Sequence, residues 1–321
     1  MTVPAAVLML AWIAAVLGPV VCALLVRLLL RRGQTLPAWG LAAGTALFWG
    51  LGVWAFLVEP ATLTVRRVTV ESPSWRGPPL RIGVISDTHV AAPHMNVRRM
   101  QRVIGRMNAE QPDIVLLLGD YTGGHEPASR RRRPERSEVL RGVEVFGELT
   151  APLGAYGVLG NHDSWFDNLA IEAALARGEV RALENAAERV ARPSGAFWIA
   201  GIADMQSPRQ PPQVDRALSD VKDGAPVIAI SHWPDPFVDI PGSVALTLAG
   251  HTHCGQVNLP LLGRLAHASP MSEQWPCGLY DEGGRKLFVT GGVGVSILPV
   301  RFRAPPEIVI VTLRAPAGDR P

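Results

Sequence analysis

Apolar and polar positions divide the chain of 321 residues near residue 60. Pro4 to Leu30 is almost unbroken Ala, Val, Leu and Ile, with Arg27 as its only charge. A second apolar run, Pro37 to Val58, carries Trp39, Trp49 and Trp54. Crossing a bilayer takes about 20 residues, so each run is long enough. The short basic turn Arg31 to Leu36 joins them. The pattern predicts a transmembrane helical hairpin over residues 1–60 and a separate domain over 61–321. A cleaved signal peptide would need a charged start and a shorter apolar core, and here a second apolar run follows. Glu59-Pro60 ends the second span, because proline breaks a helix ladder.

Past residue 60 the periods change. Leu63 to Val70 is β-rich with imperfect alternation, which predicts an edge strand. Leu80 to Ser86 and Ile114 to Asp120 are short continuous apolar runs, as buried parallel strands require. Between them, Val97, Met100, Val103, Ile104 and Met107 recur at helical spacing, predicting a helix over Asn96 to Asn108 and a right-handed crossover. Further helices are expected at Glu135 to Leu149, Leu169 to Ala176 and Gln213 to Leu218. Further strands are expected at Ala155 to Leu159, Phe197 to Ile202, Val227 to Ile230, Val244 to Ala249, Lys286 to Thr290 and Ile308 to Leu313. The order of elements is α/β.

Composition adds little. Net charge is +3 and lysine occurs only at Lys222 and Lys286. No basic stripe with interleaved aromatic residues appears, so nucleic acid is not an expected partner. The three cysteines, Cys22, Cys254 and Cys277, are odd in number and irregular in spacing, which argues against a disulfide framework; Cys254 reads as a loop residue beside two histidines. The turn's Arg27, Arg31 and Arg32 favour its cytoplasmic placement, whereas Arg66, Arg67 and Arg76 after the second span argue the reverse. The side of the domain therefore stays open.

The chemistry sits at strand ends. Five apolar runs each finish in oxygen or imidazole donors: Asp87 and His89; Asp120; Asn161, His162 and Asp163; His232; and His251 with His253. Residues i and i+2 of a strand face one way, and ligands of open α/β sheets bind outside the carboxyl ends of the strands. Mixed nitrogen and oxygen donors suit manganese, iron or zinc. Other polar groups lack this context. His94, His125 and His267 read as surface or structural residues, Gly291 to Gly294 as a turn near the site, and Arg130 to Arg133 as either a solvated segment or a contact for phosphate or lipid head groups.

The ordered set Asp-x-His, Gly-Asp, Gly-Asn-His-Asp, His and Gly-His-x-His resembles the calcineurin-like metallophosphoesterase superfamily from about Thr62 to Leu313. The resemblance implies a two-sheet sandwich flanked by helices and a pair of divalent metal ions (Mn, Fe or Zn). Asp87, His89 and His253 would hold the first ion, Asn161, His232 and His251 the second, and Asp120 would bridge. His162 would protonate the leaving group, with Asp163 orienting it and raising its basicity. Two ions together activate water, offset phosphoryl charge and stabilise the leaving oxygen. Together with the hairpin, the layout is similar to bacterial transmembrane metallophosphoesterases, and so to enzymes cleaving the pyrophosphate of UDP-2,3-diacylglucosamine in lipid A synthesis. The expectation is a multi-pass inner-membrane hydrolase of a lipid-linked phosphate. An extracytoplasmic phosphodiesterase acting on phospholipids or other diesters is the alternative, and a non-catalytic metal-binding scaffold is a remote one. Oligomeric state stays open.

Overall fold

The computed structural model describes residues 3–91, 94–264 and 267–316. Two helices, α1 (Val3–Arg31) and α2 (Thr35–Val53), lie against each other, and the indole of Trp49 donates to the Ala15 carbonyl. Their apolar side chains face outward: Trp12, Leu24, Trp39, Leu47 and Phe48 are all exposed. An exposed apolar surface of this extent needs a covering, and lipid is the one that length and composition fit. The chain does not stop at Glu59-Pro60. It tightens through a π turn, Trp54–Val58, and a 3-10 turn, Glu59–Ala61. Glu59 is buried, accepting from the Trp54 indole at 2.8 Å and from the Ala304 amide at 2.7 Å. That carboxylate fastens the end of the hairpin to the domain.

The domain runs through β1 (Thr64–Glu71), β2 (Leu80–Ile85), α3 (Val97–Ala109), β3 (Ile114–Leu117), α4 (Arg133–Glu144), β4 (Ala155–Gly157), α5 (Asn161–Phe166), α6 (Asn168–Arg177) and β5 (Val180–Ala182). It continues through β6 (Ala186–Arg192), β7 (Gly195–Gly201), α7 (Val214–Ala217), β8 (Val227–Ile230), β9 (Val244–Ala249), β10 (Asn258–Leu259), β11 (Gly263–Arg264), β12 (Gly278–Glu282), β13 (Arg285–Val289) and β14 (Glu307–Arg314).

Two six-stranded sheets result, ordered β1-β14-β2-β3-β4-β5 and β12-β13-β9-β8-β7-β6. β2 to β5 are mutually parallel, as are β7, β8, β9 and β13. The faces meet in a shared core: Ile82, Val84 and Leu116 of the first sheet pack with Ile228, Leu246 and Phe288 of the second. Because both faces of the central strands are covered, their sequences are continuous apolar runs. α3, α4 and α6 cover the outer face of the first sheet. The fold is the expected sandwich, with β1 at an edge, and α3 starts one residue later than the spacing predicts because the Asn96 side chain caps it by accepting from the Arg99 amide.

Two strand pairings escaped the sequence pattern. β10 and β11 form a hairpin of two-residue strands, too short to show alternation, and β12 folds back antiparallel on β13.

Candidate metal centre

The parallel strands of both sheets end at one place. β2 leads to Asp87 and His89, β3 to Asp120, β8 to His232, and β9 to His251 and His253. The backbone then turns sharply. Asp87, His89, Asp120, His251 and His253 all have positive φ, from 45° to 67°. Non-glycine residues rarely adopt this region, and each instance costs on the order of 1 kcal/mol or more. The return is direction, since the chain bends away while the side chain is left aimed into the cleft. Glycines permit the close approach. At Gly292 (φ 65°) a Cβ would come 2.6 Å from the Cβ of Asp87, and at Gly160 it would collide with the Asp120 carboxylate.

Two groups of donors share a centre. In the first, His253 Nε2 lies 3.0 Å from His89 Nε2 and 3.4 Å from Asp87 Oδ1. In the second, His251 Nδ1 lies 3.2 Å from His232 Nε2. Asp120 stands between them. Its Oδ1 accepts the His162 amide at 2.9 Å. Its Oδ2 is 3.6 Å from His89 Nε2 and 3.4 Å from His232 Nε2. Donor clusters Asp87–His89–His253 and Asp120–His232–His251 are close enough for one ion each. Asn161 is buried at the start of α5, rather than at a strand end, because the chain runs on from β4 through Val158 to Gly160 before it turns into helix.

The donor set fits divalent cations on a test of its own. Asp87 Oδ1 and Asn161 Oδ1 are buried side-chain oxygens without a hydrogen-bond partner. Orphaned buried acceptors cost about 1–3 kcal/mol each unless a cation or donor satisfies them. Burial presses His89 and His251 down to about 3, so both imidazoles are neutral and offer lone pairs. Burial also opposes charge on His232, but the carboxylates of Asp120, Asp87 and Asp204 outweigh it and push His232 up to about 10. A proton and a divalent ion would compete for that nitrogen.

His162 sits beside this cluster, its Nε2 3.9 Å from Asp120 Oδ2 and its Nδ1 3.0 Å from the Gly124 carbonyl. The carbonyl therefore holds the ring with Nε2 toward the site. Asp163 does not orient it, contrary to the sequence expectation. As the third residue of α5, Asp163 reaches back to accept the Gly160 amide at 2.9 Å and the Thr122 amide at 3.0 Å. Burial, reinforced by Asp120, pushes its carboxyl up to about 8, so it is also a poor source of charge for raising the basicity of His162.

The cysteine expectation is corrected too: Cys254 and Cys277 form a disulfide. The return of β12 onto β13 brings Cys277 back to the histidine loop, where Thr252 Oγ1 also donates to the Pro276 carbonyl at 2.7 Å. Cys22 remains free.

Other groups at the centre had no sequence signal. Arg301 is fully buried. It donates to the carbonyls of Gly291, Gly294 and Ala304 and lies 3.3 Å from His253 Nδ1. It thus folds the Gly291–Gly294 turn against Asp87 and seats His253. Trp233 stacks on His251 with centroids 3.7 Å apart and donates to Asp204 at 2.7 Å. His125, read as a surface residue, is exposed but has its ring 5.0 Å from that of His162, beside Trp165. Within Arg130 to Arg133, Arg131 bonds the carbonyls of Glu126 and Gly123 and stacks over Phe166, while Arg132 pairs with Glu135. Those two arginines brace their own loop. His94 and His267 are exposed.

The profile of the calcineurin-like phosphoesterases matches residues 80–255, more than half of the chain. The chain belongs to that family. It is a metal-dependent phosphoesterase hydrolase. An uncharacterized metallophosphoesterase of Bacillus subtilis, YkuE, is 28% identical over 86% of this chain and 94% of its own length. A zebrafish (Danio rerio) transmembrane protein with a metallophosphoesterase domain is 28% identical over 73% of this chain. This chain spans about half of that longer protein, 53%. The Escherichia coli phosphodiesterase YaeI is 27% identical over 64% of this chain and 71% of its own.

Proposed function

We propose that the chain is a membrane-anchored phosphodiesterase with two divalent ions, acting outside the cytoplasm on a lipid-linked phosphodiester or pyrophosphate. The observation that carries the chemistry is the position of Asp120 Oδ2, within 3.6 Å of an imidazole from each donor group. Asp87, His89 and His253 would hold one ion, Asn161, His232 and His251 the other, and Asp120 both. Bound there, the ions would activate water and neutralise charge on the phosphoryl oxygens. The chain's own part is positional. Asp120 and the imidazoles fix where the phosphorus sits. His162, held through Nδ1 by the Gly124 carbonyl, presents Nε2 to the leaving oxygen and, as the imidazolium, gives it the Nε2 proton and is left neutral. The Asp163 carboxyl ties the Thr122 and Gly160 amides so that the two loops bearing Asp120 and His162 keep their spacing. Asp163 is a positioning residue.

Two observations support the outer side. Disulfides persist in oxidising compartments and are rare in the cytoplasm. Arg66 and Arg67, which seemed to balance the turn's arginines, belong to β1 and pair with Glu307 and Glu110. Long domains cross largely regardless of such charges, so the short turn is the informative segment. This favours the extracytoplasmic alternative over the UDP-2,3-diacylglucosamine reading, since a cytoplasmic substrate would meet a reduced Cys254 and Cys277.

The test is hydrolysis by the full chain in detergent with added manganese. It compares UDP-2,3-diacylglucosamine, a plain phospholipid and an artificial phosphodiester, with Asp120→Asn as blank. Cleavage of the phospholipid and the artificial diester supports the proposal. Release of UMP from the first alone would restore the lipid A reading. Silence on all three would sink the substrate class.

A further inference from the structure

The loop that carries the histidines of the second sheet continues directly into the β10–β11 hairpin, and that hairpin ends in bare apolar residues. Leu261 and Leu262 at its tip are 106% and 73% exposed, and Ile297 is 63% exposed. These three belong to one structure. The Gln256 side chain donates to the Ser296 carbonyl at 3.1 Å and accepts the Ser296 amide at 2.6 Å, clamping the turn that presents Ile297 to the root of the hairpin. Asn258 donates to the Phe302 carbonyl at 2.9 Å, and Phe302 donates to the Gln256 carbonyl at 2.8 Å.

The same strip of chain touches the end of the membrane hairpin. The Arg301 amide donates to the Ala55 carbonyl at 2.9 Å, and the Ala304 amide to Glu59. Residues 301–304 are therefore flanked by the exit of the second apolar span on one side and by the root of the leucine-tipped hairpin on the other. Basic groups occupy the same neighbourhood. Arg303 is exposed, and on α3 Arg98 and Arg102 are exposed beside Arg99, which binds the Pro60 carbonyl. Apolar side chains set among arginines next to a spanning helix are the composition of a surface that sits at the level of lipid head groups.

We propose that Leu261, Leu262 and Ile297 insert into the bilayer beside the hairpin's exit, so that the metal centre opens at the head-group plane and takes phosphates carried by lipids. The occupant is the lipid surface itself, because residues 301–304 tie these exposed apolar side chains to the end of the second span. A gene-encoded partner would have to fit beside that same membrane exit. The proposal rests on membrane anchoring and on the hydrolase reading only for its substrate consequence. Insertion would bring a lipid phosphate to the loop Gly250–Gln256 without lifting the acyl chains into water.

The experiment uses the full chain in nanodiscs of phosphatidylglycerol and phosphatidylcholine. In a Cys22→Ser background, Leu262→Cys is labelled with a nitrobenzoxadiazole probe, and lipids bearing a nitroxide are added. Insertion predicts blue-shifted emission and quenching by those lipids. In parallel, the variant Leu261→Ser/Leu262→Ser/Ile297→Ser is assayed on a phosphodiester lipid in the bilayer and on a soluble artificial diester. Loss of the apolar anchors should lower the first rate by about tenfold and leave the second within about twofold. Water-like emission without quenching, or equal losses on both substrates, would overturn the proposal. So would a probe protected in plain detergent in proportion to protein concentration, which would assign the tip to a second copy. Quenching with no hydrolysis of either substrate by the parent chain would uphold docking and sink the hydrolase reading instead.

Discussion

The disulfide gives a prediction whose size follows from the structure. Cys254 and Cys277 are 23 residues apart in sequence. Closing a loop of that length restricts the unfolded chain, and removing the link costs about 3.4 kcal/mol at 25 °C on the chain-entropy estimate. For a domain of this size that corresponds to about 7–14 °C in Tm. The hydrogen bond from Thr252 to Pro276 stays in place when the sulfurs go, so the loop keeps part of its geometry and the loss sits chiefly in the unfolded state. The variant is Cys254→Ser/Cys277→Ser, purified without reductant beside the parent chain. Thermal unfolding is followed by tryptophan fluorescence, and thiols are counted by alkylation after denaturation. The parent should expose one thiol, Cys22, without reductant and all three with it. Three thiols without reductant, together with an unchanged Tm in the double variant, would refute both the link and the outer placement drawn from it.

Other consequences are equally direct. His162 also lies within ligand distance of His89 and Asp120, but two donor groups remain complete without it, so His162→Ala should retain metal content and lower turnover by about 10²–10⁴ as removal of a general acid does; loss of metal by elemental analysis would make His162 a ligand. Asp163→Ala leaves the Gly160 and Thr122 amides unpaired and should lower stability by at least about 2 kcal/mol in a denaturant titration, whereas Asp163→Asn should keep the pH profile of the parent; a shifted profile would return Asp163 to direct control of His162. Burial pushes the Asp87 carboxyl up to about 6 despite nearby His232. Ions and protons compete for this carboxylate, so metal affinity should begin to weaken as pH drops below about 6, and an affinity unchanged down to about pH 4 in a titration with the ion would contradict that role for Asp87.

What the sequence could and could not reveal divides along physical lines. Asp87, Asp120, His232 and His251 were legible because each closes an apolar run buried on both faces, and such a run ends where the sheet ends. The helix beginning after Asn96 was legible from its period, though not its cap. Local pattern, however, carries no information about where a distant segment returns. The pairing of Cys254 with Cys277 depends on β12 folding back, and Arg301 reaches His253 only because the segment before β14 folds onto the Gly291–Gly294 turn. Asp163 misled for a related reason. Its neighbour His162 suggested a direct partnership, but helical geometry sends the third side chain of α5 back toward the amides at its own start. The exposed Leu261 and Leu262 lay in a stretch without period, so only their exposure in the folded chain marks them.

The most direct test of the central claim is metal analysis of the purified full chain and its Asp120→Asn variant, alongside phosphodiester hydrolysis. Asparagine keeps an oxygen for the His162 amide but supplies no charge to share between the donor groups. The parent should carry about two divalent ions per chain. The variant should carry about one or fewer and lose activity by about 10³-fold or more. A variant with two ions and full turnover would contradict the bridging role of Asp120 and, with it, the dinuclear centre.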